Sequence, residues 1–307
     1  MAGGIFSWFK SLLGGPPSDG PFESHHKNGQ LKLKGAHKDG LRDGPFESYH
    51  ENGQLESKGD FKDGAEDGLW LKYSETGQLT FQGTYKDRKL DGIQESFHKN
   101  GQLREREIYE RGKKNGLWEF FHGNGQLKSK GHFTDGERDG PFETFYYGGQ
   151  LMAKGNHRRD KRDGPYESYF ESGQLKNKGT FTEKGKDDLW EEFHLNGQLA
   201  KRGAYKNNQA NGQLEWFHDN GQLRSKGNYI DDKRDGPFEE YLENGQLKVK
   251  ETYRAGQQNG PYESYYESGQ LQSKGAFKDG VLDGPFEIYT EDGEVKEKGV
   301  YIDGVPH

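Results

Sequence analysis

Six histidines occupy one position of a repeating pattern: His26, His50, His98, His122, His194 and His218. Imidazoles at regular spacing invite zinc coordination, in which each nitrogen must come within about 2.1 Å of the ion. In a strand-built repeat, equivalent positions of adjacent units lie two strands apart, about 10 Å, which is too far for a shared ion. Tyr146, Phe170, Leu242 and Tyr266 hold the same slot elsewhere, so its demand is for a flat, half-buried side chain. Glutamates recur as well, at Glu47 and its equivalents, but each faces a base and each sits in a hairpin of its own, so no acid/base couple is singled out. Asp63 and Asp67 could offer oxygen ligands to calcium, yet the DxDxDG run of a strong site is missing and turn chemistry explains them. The glycines do not form a phosphate loop between strand and helix, and no serine, histidine and acid arrangement stands out. Catalysis needs one site unlike the others. The expectation is a protein that is not an enzyme, with no metal and no cofactor.

What positions these residues is a period of 24. Asn28-Gly29-Gln30-Leu31 returns with its glycine at Gly53, Gly77, Gly101, Gly125, Gly149, Gly173, Gly197, Gly221, Gly245 and Gly269, and last at Gly293 in Asp292-Gly293-Glu294-Val295. Twelve units without insertion make the repeat the organising fact of the fold. Asn52-Gly53 is a strong hairpin signal, and a two-residue type I′ turn there predicts a register: Glu51 faces Gln54, His50 faces Leu55, Tyr49 faces Glu56, Glu47 faces Lys58, and Phe46 faces Gly59. One unit, Asp67 to Leu90, lacks both the glutamate and the base, with Leu71 and Gln82 in their places. Opposite charges lost together are what a cross-strand pair should show.

The aromatic facing glycine reads as a ring laid over a strand hole. Gln94 and Glu107 depart from it together, which fits; Phe238 is kept opposite Glu251, which does not. Alternation puts Phe46, His50, Leu55, Gly59 and Phe61 on a packed face and Glu47, Tyr49, Glu56 and Lys58 on the other. Two Asp-Gly turns between hairpins complete the unit. The fold class expected is all-β: tandem 24-residue β-hairpin repeats in one elongated, twisted antiparallel meander of about 24 strands, roughly 115 Å long.

Composition agrees with thin stacking. Only 28% of residues are apolar and 31% are charged, with 13% aromatic, no cysteine and a net charge of −7. Disulfides and thiolate metal sites are excluded, and nucleic acid is a poor partner for an acidic chain. With no apolar run of bilayer length and no secretory signal pattern, the cytoplasm is the default, or its membrane periphery. Residues 1–18 stand outside the repeat as a segment and Gly/Pro linker, and 19–307 form the array. Ile5, Phe6, Trp8, Phe9, Leu12 and Leu13 describe a short N-terminal amphipathic helix, read either as a cap on the array or as a membrane contact through residues 4–13.

In another frame the repeat is Gly59-x-Phe61-x-x-Gly64-x-x-Asp67-Gly68-x-Trp70-x-x-Tyr73-x-x-Thr76-Gly77-x-Leu79. This resembles the MORN repeat, in the bacterial variant found in YwqK-type antitoxin proteins, over essentially all of 19–306. The resemblance implies tandem antiparallel hairpins, and an antitoxin or immunity role for bacterial members or a scaffold with lipid contact for eukaryotic ones. Gln94 and Asp188, which replace a ring and a turn glycine, predict local irregularity.

The residues expected to bind a partner are the rings on the charged face: Tyr49, Tyr73, Phe97, Phe121, Phe145, Tyr169, Phe193, Phe217 and Tyr241, continued by Tyr265 and Tyr289. Tyrosines among charges have the make-up of a binding surface; alternatively, lysine stems cover them as a second thin core. The function expected is a non-enzymatic protein-binding repeat scaffold that sequesters a cognate toxin. The alternative is a peripheral membrane scaffold anchored by the N-terminal segment.

Overall fold

The structure, a computed structural model, describes residues 18–307, and every regular element among them is a β-strand in antiparallel pairing. The N-terminal stripe of Ile5, Phe6, Trp8, Phe9, Leu12 and Leu13 lies outside the described residues. The chain forms two compact units, one ending at Gly140 and taking in Tyr147–Gly149, the other made of Pro141–Tyr146 and Gln150–His307. Each is a meander of hairpins. In the first, Gly44–Tyr49 pairs with Leu55–Lys62 and Ala65–Tyr73 with Leu79–Lys86. In the second, Gly164–Tyr169 pairs with Leu175–Thr182 and Gly185–Phe193 with Leu199–Lys206.

The turns depart from expectation at Asn52-Gly53, which is not a two-residue turn, and at Asp67-Gly68, which lies within the strand Ala65–Tyr73 at a register shift and makes no separate turn. Of Asn52-Gly53 only the glycine has positive φ, at +82°. Its N–H donates to His50 O at 2.9 Å, and the His50 N–H donates to Gln54 O at 2.9 Å. This is a three-residue loop, a type I turn ended by a left-handed glycine. The tight two-residue turn is Asp63-Gly64 instead, with φ of +50° and +75° and Lys62 opposite Ala65. The longer loop shifts the inner register, so Tyr49 faces Leu55 and not Glu56. A bulge then restores it, and Ser48 faces Ser57, Glu47 faces Lys58 and Phe46 faces Gly59 as expected.

Turns stack on turns. Asn28 Nδ2 donates to Glu51 O at 2.7 Å and Asn52 Nδ2 to Glu75 O at 2.7 Å, each one repeat onward. In the second unit Asn196 and Asn220 do the same to Asp219 O and Glu243 O. On the opposite edge the Gly64 N–H donates to Arg42 O at 2.8 Å and the Gly112 N–H to Leu90 O at 2.8 Å. Neighbouring repeats are thus joined by backbone bonds at the turns as well as by strand pairing, which satisfies loop groups that would otherwise need water.

The packed face holds Phe46, Trp70, Trp118 and Phe133 in the first unit and Phe142, Trp190, Leu214 and Phe238 in the second, all buried. Phe61 meets Phe46 and Trp70 edge-on, with centroids 5.2 and 5.1 Å away, a favoured aromatic geometry. Rings do lie over strand glycines, but several cover the glycine of the preceding hairpin. Trp70 covers Gly59, Trp190 covers Gly179, and a Cβ on Gly227 would come within 2.6 Å of Phe238. This accounts for Phe238 opposite Glu251: its glycine is Gly227, one hairpin earlier. Where Gln94 replaces a ring, Phe81 and Leu90 close over Gly83. Pairing continues through the Gln94 strand and through Asp188, which takes the left-handed φ of the glycine it replaces, +58°. The expected irregularity there is a strained residue and not a broken ladder.

Candidate functional site: the charged and aromatic face

Strand alternation places Pro45, Glu47 and Tyr49 on the face opposite Phe46 and Ser48. Across the strands of the first unit, register aligns Lys34, Glu47, Lys58, Leu71, Gln82, Glu95, Arg106 and Glu119 in one row. In the second unit Lys154, Glu167, Lys178, Glu191, Arg202, Glu215, Lys226 and Glu239 form the corresponding row.

The expected pairing of Glu47 with Lys58 is right in register, but the short ion pair runs to the preceding hairpin. Lys34 Nζ lies 2.6 Å from Glu47, Lys178 Nζ 2.6 Å from Glu191 and Lys226 Nζ 2.8 Å from Glu239. Arg106 joins Glu95 at 2.6 Å and Glu119 at 3.1 Å. Apart from Arg106–Glu95, which lies within one hairpin, these pairs tie hairpin to hairpin. The Lys34 ammonium, then the Tyr49 hydroxyl, holds the Glu47 carboxyl below its ordinary range. For Glu167 the tyrosine, Tyr169, comes first and Lys154 second.

Every ring of the expected binding series is half-buried: Tyr49, Tyr73, Phe97, Phe121, Phe145, Tyr169, Phe193, Phe217, Tyr241, Tyr265 and Tyr289. Bases of the preceding hairpin lie beside several of them, Lys34 at 5.9 Å from the Tyr49 centroid, Lys178 at 5.7 Å from Phe193 and Lys274 at 5.6 Å from Tyr289. Tyr49, Tyr169, Tyr241, Tyr265 and Tyr289 each donate a hydrogen bond to the glutamate two residues earlier. Burial, with the bond to Glu263, pushes the Tyr265 hydroxyl up to about 12. Lysine stems and rings thus cover one another in part, and each ring keeps an open side.

The histidine slot has a role that spacing did not reveal. His50 Nε2 lies 3.0 Å from Tyr73 O, and His26, His98, His194 and His218 reach Tyr49, Phe121, Phe217 and Tyr241 carbonyls in the same way. Tyr146 and Tyr266 do it with a hydroxyl, at 2.8 and 2.7 Å. At these seven positions the slot holds a ring with a polar tip that bridges to the next repeat; Phe170 and Leu242 fill it without that bond. Among the described residues no group of three or more histidines and carboxylates converges as metal ligands.

The second feature missed is a buried carboxylate on the packed face. Glu107, in place of a strand glycine, is 3% exposed opposite buried Gln94. Lys114 Nζ lies 2.6 Å from it, and the Tyr109 hydroxyl donates to it at 3.0 Å; burial raises the Tyr109 pKa. Glu251 repeats the arrangement with Tyr253 at 2.5 Å and Gln258 at 3.0 Å. The signal was readable: both glutamates have a tyrosine two residues on and a donor seven residues on.

The model of the MORN repeat variant matches residues 42–63, 66–87, 90–111, 114–135, 162–183, 189–207, 210–231, 234–255, 258–279 and 282–303. The chain belongs to this MORN repeat family. The matches fall in both units, and each spans one hairpin and ends on the first residue of the tight turn that follows it. No curated protein matches the chain. Solved structures that resemble this MORN chain include the crystal structures of TcdB2-TccC3-Cdc42 and of TcdB2-TccC3. The first is 12% identical with a TM-score of 0.18 and covers 92% of this chain and 17% of the other. The second is 13% identical with a TM-score of 0.20 and covers 92% and 18%. The chain spans less than a fifth of the length of the structures it matches.

Proposed function

We propose that this MORN repeat chain is a non-enzymatic scaffold that binds a protein through its charged and aromatic face. We propose further that the partner is a cognate toxin, which makes the chain an antitoxin or immunity protein acting in the cytoplasm. The observation that carries the reading is the ring row. Each ring is half-buried and several are clamped by a base and a glutamate, so binding would freeze few rotamers. Tyrosine at low entropic cost, set among charges, supplies contact area and specificity. The net charge of −7 favours a basic partner through steering and complementarity. Co-expression with each product encoded beside this gene tests the partner: relief of toxicity and a complex that survives purification are expected. Neither rescue nor co-purification with any neighbour would sink the toxin assignment.

A further inference from the structure

In the first unit the charged row is interrupted at one place, and the interruption is apolar. Leu69, Leu71 and Tyr73 follow one another on the open face of one strand. Leu69 is 53% exposed, and so is Ile93 in the same position one repeat on. Ile108 faces Ile93 across the hairpin and extends the patch. Thr84 stands between Leu69 and Ile93, opposite Leu69; isolated exposed leucines need no explanation, but a cluster of exposed apolar side chains rimmed by charges has the anatomy of an interface core.

Two polar groups beside this gap lack a close partner. Lys58 stands between Glu47 and Leu71, and its charge adds to those that hold the Glu47 carboxyl low. Among the described residues Lys58 makes no ion pair, and it lies over no ring, unlike Lys34 and Lys178. Tyr73 has Leu71 where Tyr49 has Glu47, and its hydroxyl has no hydrogen-bond partner among the described residues. An apolar centre therefore has beside it an ammonium with no close ion pair and a hydroxyl with no hydrogen bond among the described residues. The second unit has Leu189 exposed in the same row, but there Glu191 and Lys178 are paired at 2.6 Å.

We infer that the gap is the anchor of the binding face: it takes an apolar side chain of a protein partner with an adjacent carboxylate that reaches Lys58 and Tyr73. The inference rests on the scaffold reading and locates its strongest contact. A desolvated apolar contact with an oriented charge beside it is the pattern of a hot spot.

The test is selection of random linear peptides displayed on phage against the full chain, followed by affinity measurement on the enriched peptides. The expected result is peptides that share an apolar residue next to aspartate or glutamate. Their binding should weaken at least tenfold on Leu69→Glu and on Lys58→Glu, both exposed positions, and stay within twofold on Leu189→Glu. Enriched peptides that lack a carboxylate beside an apolar residue, or that ignore Leu69→Glu and Lys58→Glu, overturn the anchor. If those peptides instead lose binding on Tyr169→Ala, the scaffold reading survives and only the anchor fails. Absence of any enrichment counts against both.

Discussion

The two units carry the same row of charges with one difference. From Lys154 to Glu239 the second alternates base and acid at every strand; the first replaces one step with Leu71 and Gln82. Pairing is intact on both sides of that step, with Lys58 opposite Leu71 and Gln82 opposite Glu95. The row is therefore not what holds the strands in register. Backbone pairing, stacked turns and rings over glycines suffice, so the charges can vary without loss of register. Exposed ion pairs contribute at most about 1 kcal/mol each, which agrees with a strand that does without one.

A second contrast lies on the packed face, and it yields the largest expected effect. Glu107 in the first unit is buried and paired with the Lys114 ammonium, whereas half-buried Glu251 in the second is met by the neutral Gln258. Lys114→Met should strand a buried charge and cost about 3 kcal/mol. Gln258→Met should cost about 1 kcal/mol. Guanidinium unfolding would read both, and equal losses would erase the distinction.

Trp70 and Trp190 are equally buried, but only Trp70 has a partner for its indole N–H, Asp60 O at 3.2 Å. Trp70→Phe should therefore cost about 1 kcal/mol more than Trp190→Phe, measured in the same way. Asp188 sits in the left-handed region where the first unit has Gly68 at φ +71°. Asp188→Gly should stabilise by up to about 1 kcal/mol, and a loss would mean the side chain contributes more than its strain costs.

Acidification is the mildest of these comparisons. Glu47, Glu167 and Glu239 have carboxyls held below the ordinary value in the folded chain. Their contribution is present above the unfolded value of about 4.3 and is lost as pH falls through the lower folded values. Amide exchange between pH 5 and 3 should loosen the second unit, with its uninterrupted row, more than the strands around Leu71. The reverse order would remove the ion pairs from the account.

Much of the fold was legible because the period is exact in the residues that matter: a left-handed glycine each 24 residues and a glutamate and base lost together. The turn type was not. A two-residue loop, and a three-residue loop followed by a one-residue bulge, both bring Glu47 opposite Lys58, so the outer register cannot distinguish them. Only the inner pairing does, and it moved Leu55 beside Tyr49. The His50 and Asn52 bridges were hidden for another reason: they reach the next repeat's backbone carbonyls, which side-chain identity does not mark. The candidate site was legible as a row of rings. Its uneven point, Leu71, first read as evidence for register, gains meaning once Lys58 is seen without a close ion pair and Tyr73 without a hydrogen bond among the described residues.

The most direct test repairs the gap. The double substitution Leu71→Glu with Gln82→Lys should leave unfolding within about 1 kcal/mol of the original chain, while completing the charged row. Calorimetric titration with the partner recovered by co-expression should then show affinity reduced at least tenfold. Unchanged affinity in the repaired, folded protein would contradict the claim that this face binds through its apolar interruption.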